Sequence, residues 1–151
     1  MYRCNFCYLR YRVALDLIKA NNEFKAQGYR IKIFDAYRPL SVQYKLWEAC
    51  PNPNFVANPV TGSIHNRGGA IDVTLETING QYVDMGTDYD YFGVAAFHDN
   101  ITVNEIVKSN RDFLRMILAN HHFNSIKTEW WHYSHRVATM YPISDVQIPC
   151  N

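Results

Sequence analysis

A histidine and a carboxylate stand seven residues apart in Ser63-Ile64-His65-Asn66-Arg67-Gly68-Gly69-Ala70-Ile71-Asp72. Neutral imidazole and carboxylate are common zinc ligands. Gly68 and Gly69 let the chain turn sharply, so a loop histidine can fold back beside an aspartate on the strand that Ala70 to Glu76 predicts. Two ligands do not make a catalytic centre, and Glu129-Trp130-Trp131-His132 offers what is missing. Catalytic zinc keeps three protein ligands and one open position for water. His65, Asp72 and His132 would form that set, with Glu129 as the base that deprotonates the activated water. Residues three apart on a flat strand point to opposite faces. Glu129 and His132 therefore share a site only across a bulge, a strong twist or a strand end.

Simpler readings stand beside this one. The chain has six histidines, and each taken singly is more simply an ordinary surface or core residue. His121 and His122 end a predicted helix, where a cation near the C-terminus is explanation enough. His135 follows the last strand and is placed at most in support of the site. Trp130 and Trp131 read as core and pocket wall. Arg38, in Asp35-Ala36-Tyr37-Arg38-Pro39, could be a surface ion-pair partner. An arginine held extended by a following proline at a strand end is, however, well placed to meet an anion.

The elements that must position these residues follow from periodicity. Val13 to Gln27 reads as a helix with Val13, Leu17, Asn21 and Phe24 on one face, Ala14 and Ile18 beside them, and Gly28 closing it. Tyr29 to Phe34 alternates as a strand, and Ser41 suits the cap of a short helix reaching Cys50. Pro51 to Gly62 is loop. Asn79-Gly80 predicts a hairpin whose return strand is Gln81 to Met85. Thr102-Val103-Asn104-Glu105 reads as a capping box. The helix it opens runs to about Asn120, burying Ile106, Asn110, Phe113, Leu114, Ile117 and Leu118. Ser125 to Ser134 reads as one more strand. The order implies an α+β fold, a central antiparallel sheet flanked by helices with the metal site on the sheet, in a single domain spanning residues 1–151.

Composition narrows the function classes. With 48% hydrophobic and 19% charged residues, a real core forms. A net charge of +1 without a basic stripe excludes a nucleic-acid surface. Apolar runs as short as Gly93 to Phe97 exclude a membrane span. The stretch from Tyr2 to Arg12 is too polar for a secretory signal, which points to the cytoplasm unless Met1 replaces a removed leader. Cys4 and Cys7 have CxxC spacing but no second close pair, so small buried thiols are favoured over a structural zinc. The even count of four leaves disulfides open.

Taken in order, Asp35 to Pro39, Ser63 to Asp72 and Glu129 to Tyr133 resemble the motifs of the VanX-type D-alanyl-D-alanine dipeptidases, zinc D,D-peptidases that share a metal site with lysostaphin-like enzymes and the hedgehog domain. The resemblance runs from about Val13 to Pro149. It implies hydrolysis of the dipeptide D-Ala-D-Ala with one zinc ion per chain, held by His65, Asp72 and His132. It also implies Glu129 as base and then acid, Arg38 as oxyanion partner, Asp90 as receptor of the substrate ammonium and Ser63 at the substrate edge. The family carries a segment ahead of the first helix that closes one pocket wall, and this chain starts at Met1 close to that helix, which reads as a shortened N-terminus. Two alternatives stay open. One is a D,D- or L,D-carboxypeptidase or endopeptidase acting on peptidoglycan stem peptides. The other is a non-catalytic zinc module that binds peptide or protein, against which Glu129 and Arg38 argue.

Overall fold

The structure is a computed structural model and describes residues 6–53, 55–100 and 102–147. Three helices and four strands follow in the order α1 (Tyr11–Ala26), β1 (Tyr29–Asp35), α2 (Leu40–Ala49), β2 (Ala70–Thr77), α3 (Glu105–Asn120), β3 (Phe123–Ser125) and β4 (His132–His135). Short 3-10 turns cover His65–Arg67, Val94–Ala96 and Ala138–Met140. The strands form one antiparallel sheet in the order β1-β2-β4-β3. This is the α+β arrangement that the periodicity implies. Among the described residues no helix is long and apolar enough to cross a membrane.

The sheet separates an apolar side from a polar one. Strand β2 is buried from Ala70 to Leu75, so both of its faces are covered. Alternation sends Ile71, Val73 and Leu75 into the apolar core with Val13, Leu17, Phe24, Leu114, Ile117 and Leu118 of α1 and α3. Ala70, Asp72 and Thr74 face the other way. Gly28 takes φ +87° just beyond α1, a left-handed geometry that turns the chain straight into β1.

Several expectations change in the fold. Residues 125–134 do not form one strand: β3 ends at Ser125, a loop carries Glu129, and β4 begins at His132. The Asn79-Gly80 turn is present, but its return strand reduces to a single bridge between Glu76 and Tyr82. Asn104 rather than Thr102 caps α3, its side chain accepting from the Val107 N–H. Pro39 occupies the cap position of α2, and Ser41 lies inside the first turn, its N–H donating to Asp145 Oδ1.

The buried face of α3 is turned by about one residue from the expected one. Val107 and Arg111 are buried, whereas Ile106 is 70% exposed. Arg111 reaches the Met85, Ala95 and Phe97 carbonyls with its guanidinium, at 2.8, 2.9 and 3.0 Å. A charged residue so satisfied can occupy a core stripe, which hydrophobic periodicity does not register. Likewise Ile18 is exposed while Asp16 is buried on α1. Cys7 is exposed rather than the small buried thiol expected, and Cys50 is half-buried, both free; Cys4 and Cys150 lie outside the described residues.

The two motif glycines serve different needs. Gly68 holds φ +67° after the His65–Arg67 turn. Gly69 packs directly on Ala138, where an added Cβ would lie 2.3 Å from the alanine Cβ and 2.8 Å from its Cα. A backbone contact of that kind cannot yield cheaply. Gly69→Ala is therefore expected to cost about 1–3 kcal/mol of stability, measured by denaturant unfolding, although alanine has the better strand propensity.

Candidate metal centre

The site lies along one row of the sheet. Asp72 on β2 pairs in register with His132 on β4. On its other side Asp72 pairs with Asp35 at the end of β1, after an irregularity between Ile33 and Asp35. The 3-10 turn then adds His65 from outside the sheet. Its carbonyl accepts from the Arg38 N–H at 3.1 Å, and its Nδ1 lies 2.7 Å from the Ala36 carbonyl. A carbonyl only accepts, so Nδ1 carries the proton and Nε2 presents a lone pair.

Three ligand atoms converge. His65 Nε2 lies 3.3 Å from Asp72 Oδ1 and 3.2 Å from His132 Nδ1, and His132 Nδ1 lies 3.0 Å from Asp72 Oδ1. Tetrahedral coordination with bonds of roughly 2.0–2.1 Å sets neighbouring ligand atoms roughly 3.3 Å apart. The donor set and its spacing thus fit a divalent metal ion. Outer partners orient the ligands as metal sites require. Tyr89 donates its hydroxyl to Asp72 Oδ2 at 3.1 Å, and His132 Nε2 meets Ser134 Oγ at 3.0 Å. Burial works against charge on Asp72, but the two histidines outweigh it and hold the carboxyl well below the usual carboxylate range. His65 is burdened by burial yet raised by Asp72, whereas burial lowers His132.

Glu129 escapes the strand geometry because it precedes β4 in a loop. Both following tryptophans are buried and pin that loop. The Trp130 N–H donates to the Ala96 carbonyl at 3.1 Å and its Nε1–H to Thr87 Oγ1 at 2.7 Å, while the Trp131 carbonyl accepts from the Val73 N–H at 3.0 Å. Glu129 and His132 consequently line one cavity, of about 1060 Å³, together with Arg38, Ser63, His65, Asp72 and Asp90. Burial first, and then the negative charge of Asp72, push Glu129 up to about 7.

Arg38 is clamped rather than free. Asp35 Oδ2 accepts from its Nε at 2.9 Å and its Nη2 at 2.6 Å, and Gln43 Oε1 accepts from Nη1 at 2.8 Å. Among the described residues three of its five N–H donors are used, which leaves two. Asp90 holds φ +59°, and its carboxyl accepts no hydrogen bond among the described residues. Partial desolvation, followed by the charge of Asp72, raises it to about 6. Ser63 Oγ accepts from the His65 N–H at 3.2 Å.

Sequence reasoning missed Gln43, Asn66 and Tyr89. Gln43 is buried on α2, and Asn66 joins two motifs by donating to the Arg38 carbonyl at 2.8 Å. Neither position carries a local signal. Tyr89 adjoins the singled-out Asp90, which was its only hint.

His135 does not support the site. It projects from the opposite face of β4 toward Asp16, which lies 3.1 Å from His135 Nε2 and 3.0 Å from His122 Nδ1. The C-terminal helix end therefore does not by itself explain His122. This second cluster differs in kind from the first. As at Asp72, both short histidine contacts fall on one carboxylate oxygen, here Asp16 Oδ2, but the second oxygen, Oδ1, is already neutralised by Lys19 at 2.9 Å. The Val137 N–H points to His135 Nδ1 at 3.3 Å, leaving Nε2 as the protonated nitrogen. It is a hydrogen-bonded buried carboxylate.

A family model for D-Ala-D-Ala dipeptidases, of the M15 peptidases, matches residues 1–149. The chain is 35% identical over 144 residues to a D-alanyl-D-alanine dipeptidase of Escherichia coli (strain K12), covering 95% of this chain and 75% of that protein. It is 31% identical over 153 residues to a D-alanyl-D-alanine dipeptidase of Enterococcus faecium, covering 87% and 75%. In fold it is similar to the vancomycin-resistance D,D-pentapeptidase VanY solved in complex with Zn(II), with a TM-score of 0.57 at 16% identity over 90% of this chain and 79% of that one.

Metal content after dialysis separates the two clusters. Wild type is expected to retain added divalent metal, His65→Ala and Asp72→Ala to lose it, and His122→Ala to retain it as wild type does.

Proposed function

The chain belongs to the M15 peptidase family of D-Ala-D-Ala dipeptidases, and from that membership we propose that it hydrolyses the free dipeptide D-Ala-D-Ala to D-alanine at a zinc centre held by His65, Asp72 and His132. The observation that carries this reading is the convergence of three ligand atoms within 3.3 Å on the floor of a cavity lined by Glu129, Arg38 and Asp90. Zinc in such a site supplies Lewis-acid activation of water and of the scissile carbonyl.

The chain's own residues divide the remaining work. Glu129 takes a proton from the attacking water, whose oxygen bonds to the carbonyl carbon. Glu129 then returns the proton to the amide nitrogen as the C–N bond breaks, giving two molecules of alanine. The unused N–H donors of Arg38 meet the oxyanion that forms from the carbonyl. Asp35 and Gln43 hold that guanidinium in place beforehand, the preorganisation that makes such a contact effective. Asp90, which lines the cavity and accepts no hydrogen bond among the described residues, receives the substrate ammonium. Ser63 lies at the substrate edge.

A second reading is carboxypeptidase or endopeptidase action on peptidoglycan stem peptides. The cavity of about 1060 Å³ favours it, being at the upper end of small-ligand sites. The two readings differ in their demand on Asp90, since a longer chain brings no ammonium to that point.

Release of D-alanine from D-Ala-D-Ala by the zinc-loaded chain tests the proposal directly. Glu129→Gln should lower kcat by about 10²–10⁴-fold, and no effect would remove Glu129 as base. Arg38→Ala should cost about 10²–10³-fold in kcat. Asp90→Ala should raise KM for the dipeptide and leave a pentapeptide stem little affected.

The pH profile has a definite sign. A base works deprotonated, so activity falls as pH drops through the Glu129 pKa. Burial and Asp72 raise that pKa from 4.5 to about 7, whereas a nearby cation pulls it back. The acid limb of kcat/KM is therefore expected between about 4.5 and 7, and should vanish from the residual activity of Glu129→Gln.

A further inference from the structure

The loop between β2 and α3 carries a residue whose placement exceeds the needs of packing. Tyr89 donates its hydroxyl to Asp72 Oδ2 at 3.1 Å, the oxygen that faces away from the two histidines. Its ring is stacked on Phe34, with centroids 4.5 Å apart and planes at 19°, and meets Trp131 edge-on at 5.6 Å. The segment around it is fastened by Arg111, whose guanidinium binds the Met85, Ala95 and Phe97 carbonyls. An aromatic side chain with two torsions, gripped on two sides, delivers its hydroxyl at little entropic cost.

A carboxylate can turn about its last torsion and present either oxygen, or both, to a cation. The histidines contact only Oδ1, while Oδ2 is occupied by the phenol. We infer that Tyr89 is a positioning residue that locks Asp72 so that Oδ1 alone faces the metal, and that it thereby sets the metal affinity of the site. This rests on the reading of His65, Asp72 and His132 as the metal ligands. The hydrogen bond of the phenol goes to the carboxylate of Asp72, one of the proposed ligands.

The variant is Tyr89→Phe, which keeps both ring contacts and deletes only the hydroxyl. Zinc affinity is measured by competition with a chromophoric chelator, without substrate, on chains whose metal-free thermal unfolding is recorded in parallel. Outer partners of metal ligands typically govern affinity by about 10–100-fold, and a loss of that size is expected here in a chain that still folds without metal. At saturating zinc, kcat for D-Ala-D-Ala should fall while KM holds, because Asp90 is intact. Phe34→Leu keeps the hydroxyl but removes the stack, and should weaken zinc binding by a smaller factor.

Affinity within about threefold of wild type in a folded Tyr89→Phe overturns the inference. If that variant does not fold, unchanged affinity in Phe34→Leu overturns it, and weakened affinity supports it. A wild type that binds zinc but leaves D-Ala-D-Ala uncut defeats the proposed function without touching this inference. A wild type that binds no zinc defeats both.

Discussion

A carboxylate buried on a central strand of a sheet must be compensated, and much of this molecule is arranged around that requirement. Removing an ion of this size from water costs several kcal/mol unless partners replace the lost solvation. Asp72 obtains them from three directions: His65 from the 3-10 turn, His132 from the neighbouring strand, and Tyr89 from the loop beyond β2. Its charge is also felt by the carboxyls that share its cavity. Burial and Asp72 together hold Glu129 near 7 and Asp90 near 6. A cation at the centre answers all these demands at once. It would offset the burial of Asp72, sit between two imidazole nitrogens 3.2 Å apart, and draw the Glu129 carboxyl toward its deprotonated form.

The sheet keeps this polar centre apart from the apolar core by alternation alone. On β4, His132 faces the cavity with Ser134 beside it on the same side, while Tyr133 and His135 face the helices. The same strand thus serves two carboxylates, Asp72 on one side and Asp16 on the other. They differ in how their partners approach. At both, the two histidines meet a single oxygen, but the second oxygen of Asp72 takes the neutral Tyr89 hydroxyl, whereas that of Asp16 takes the Lys19 cation. That contrast makes one cluster shaped for a metal and the other a staple between α1, β4 and the turn after α3.

Helices α1 and α3 and strand β2 were legible because much of their apolar spacing follows burial, and β1 because its alternation of β-formers marks a strand although none of its residues is buried. Val13, Leu17 and Phe24 recur at helical intervals, and Ile71, Val73 and Leu75 alternate. Reading failed where a polar residue took a core position. Asp16 and Arg111 are buried through partners far along the chain, so hydrophobic spacing set the α3 face one residue away from its true place. It failed again over residues 125–134, where β-formers fill both a strand and a loop. Trp130 and Trp131 anchor that loop in the core instead of extending β4.

His65, Asp72 and His132 as candidate ligands, and Glu129 as the proposed base, could be singled out from residue type, spacing and the resemblance of three short motifs, because metal and proton-transfer chemistry restrict which side chains can serve. Arg38 could be singled out in the same way, since Pro39 follows it at a strand end. The sequence could not say how Glu129 and His132 reach one cavity. The strand boundary decides that, and the boundary depends on what Trp130 and Trp131 pack against. Nor could it reveal the outer partners: Gln43 behind Arg38, Asn66 between two motifs, and Tyr89 behind Asp72. Ligand identity is a property of single side chains and is written locally. The orientation of those ligands depends on contacts between residues 5 to 67 positions apart, and only the tertiary structure brings these together.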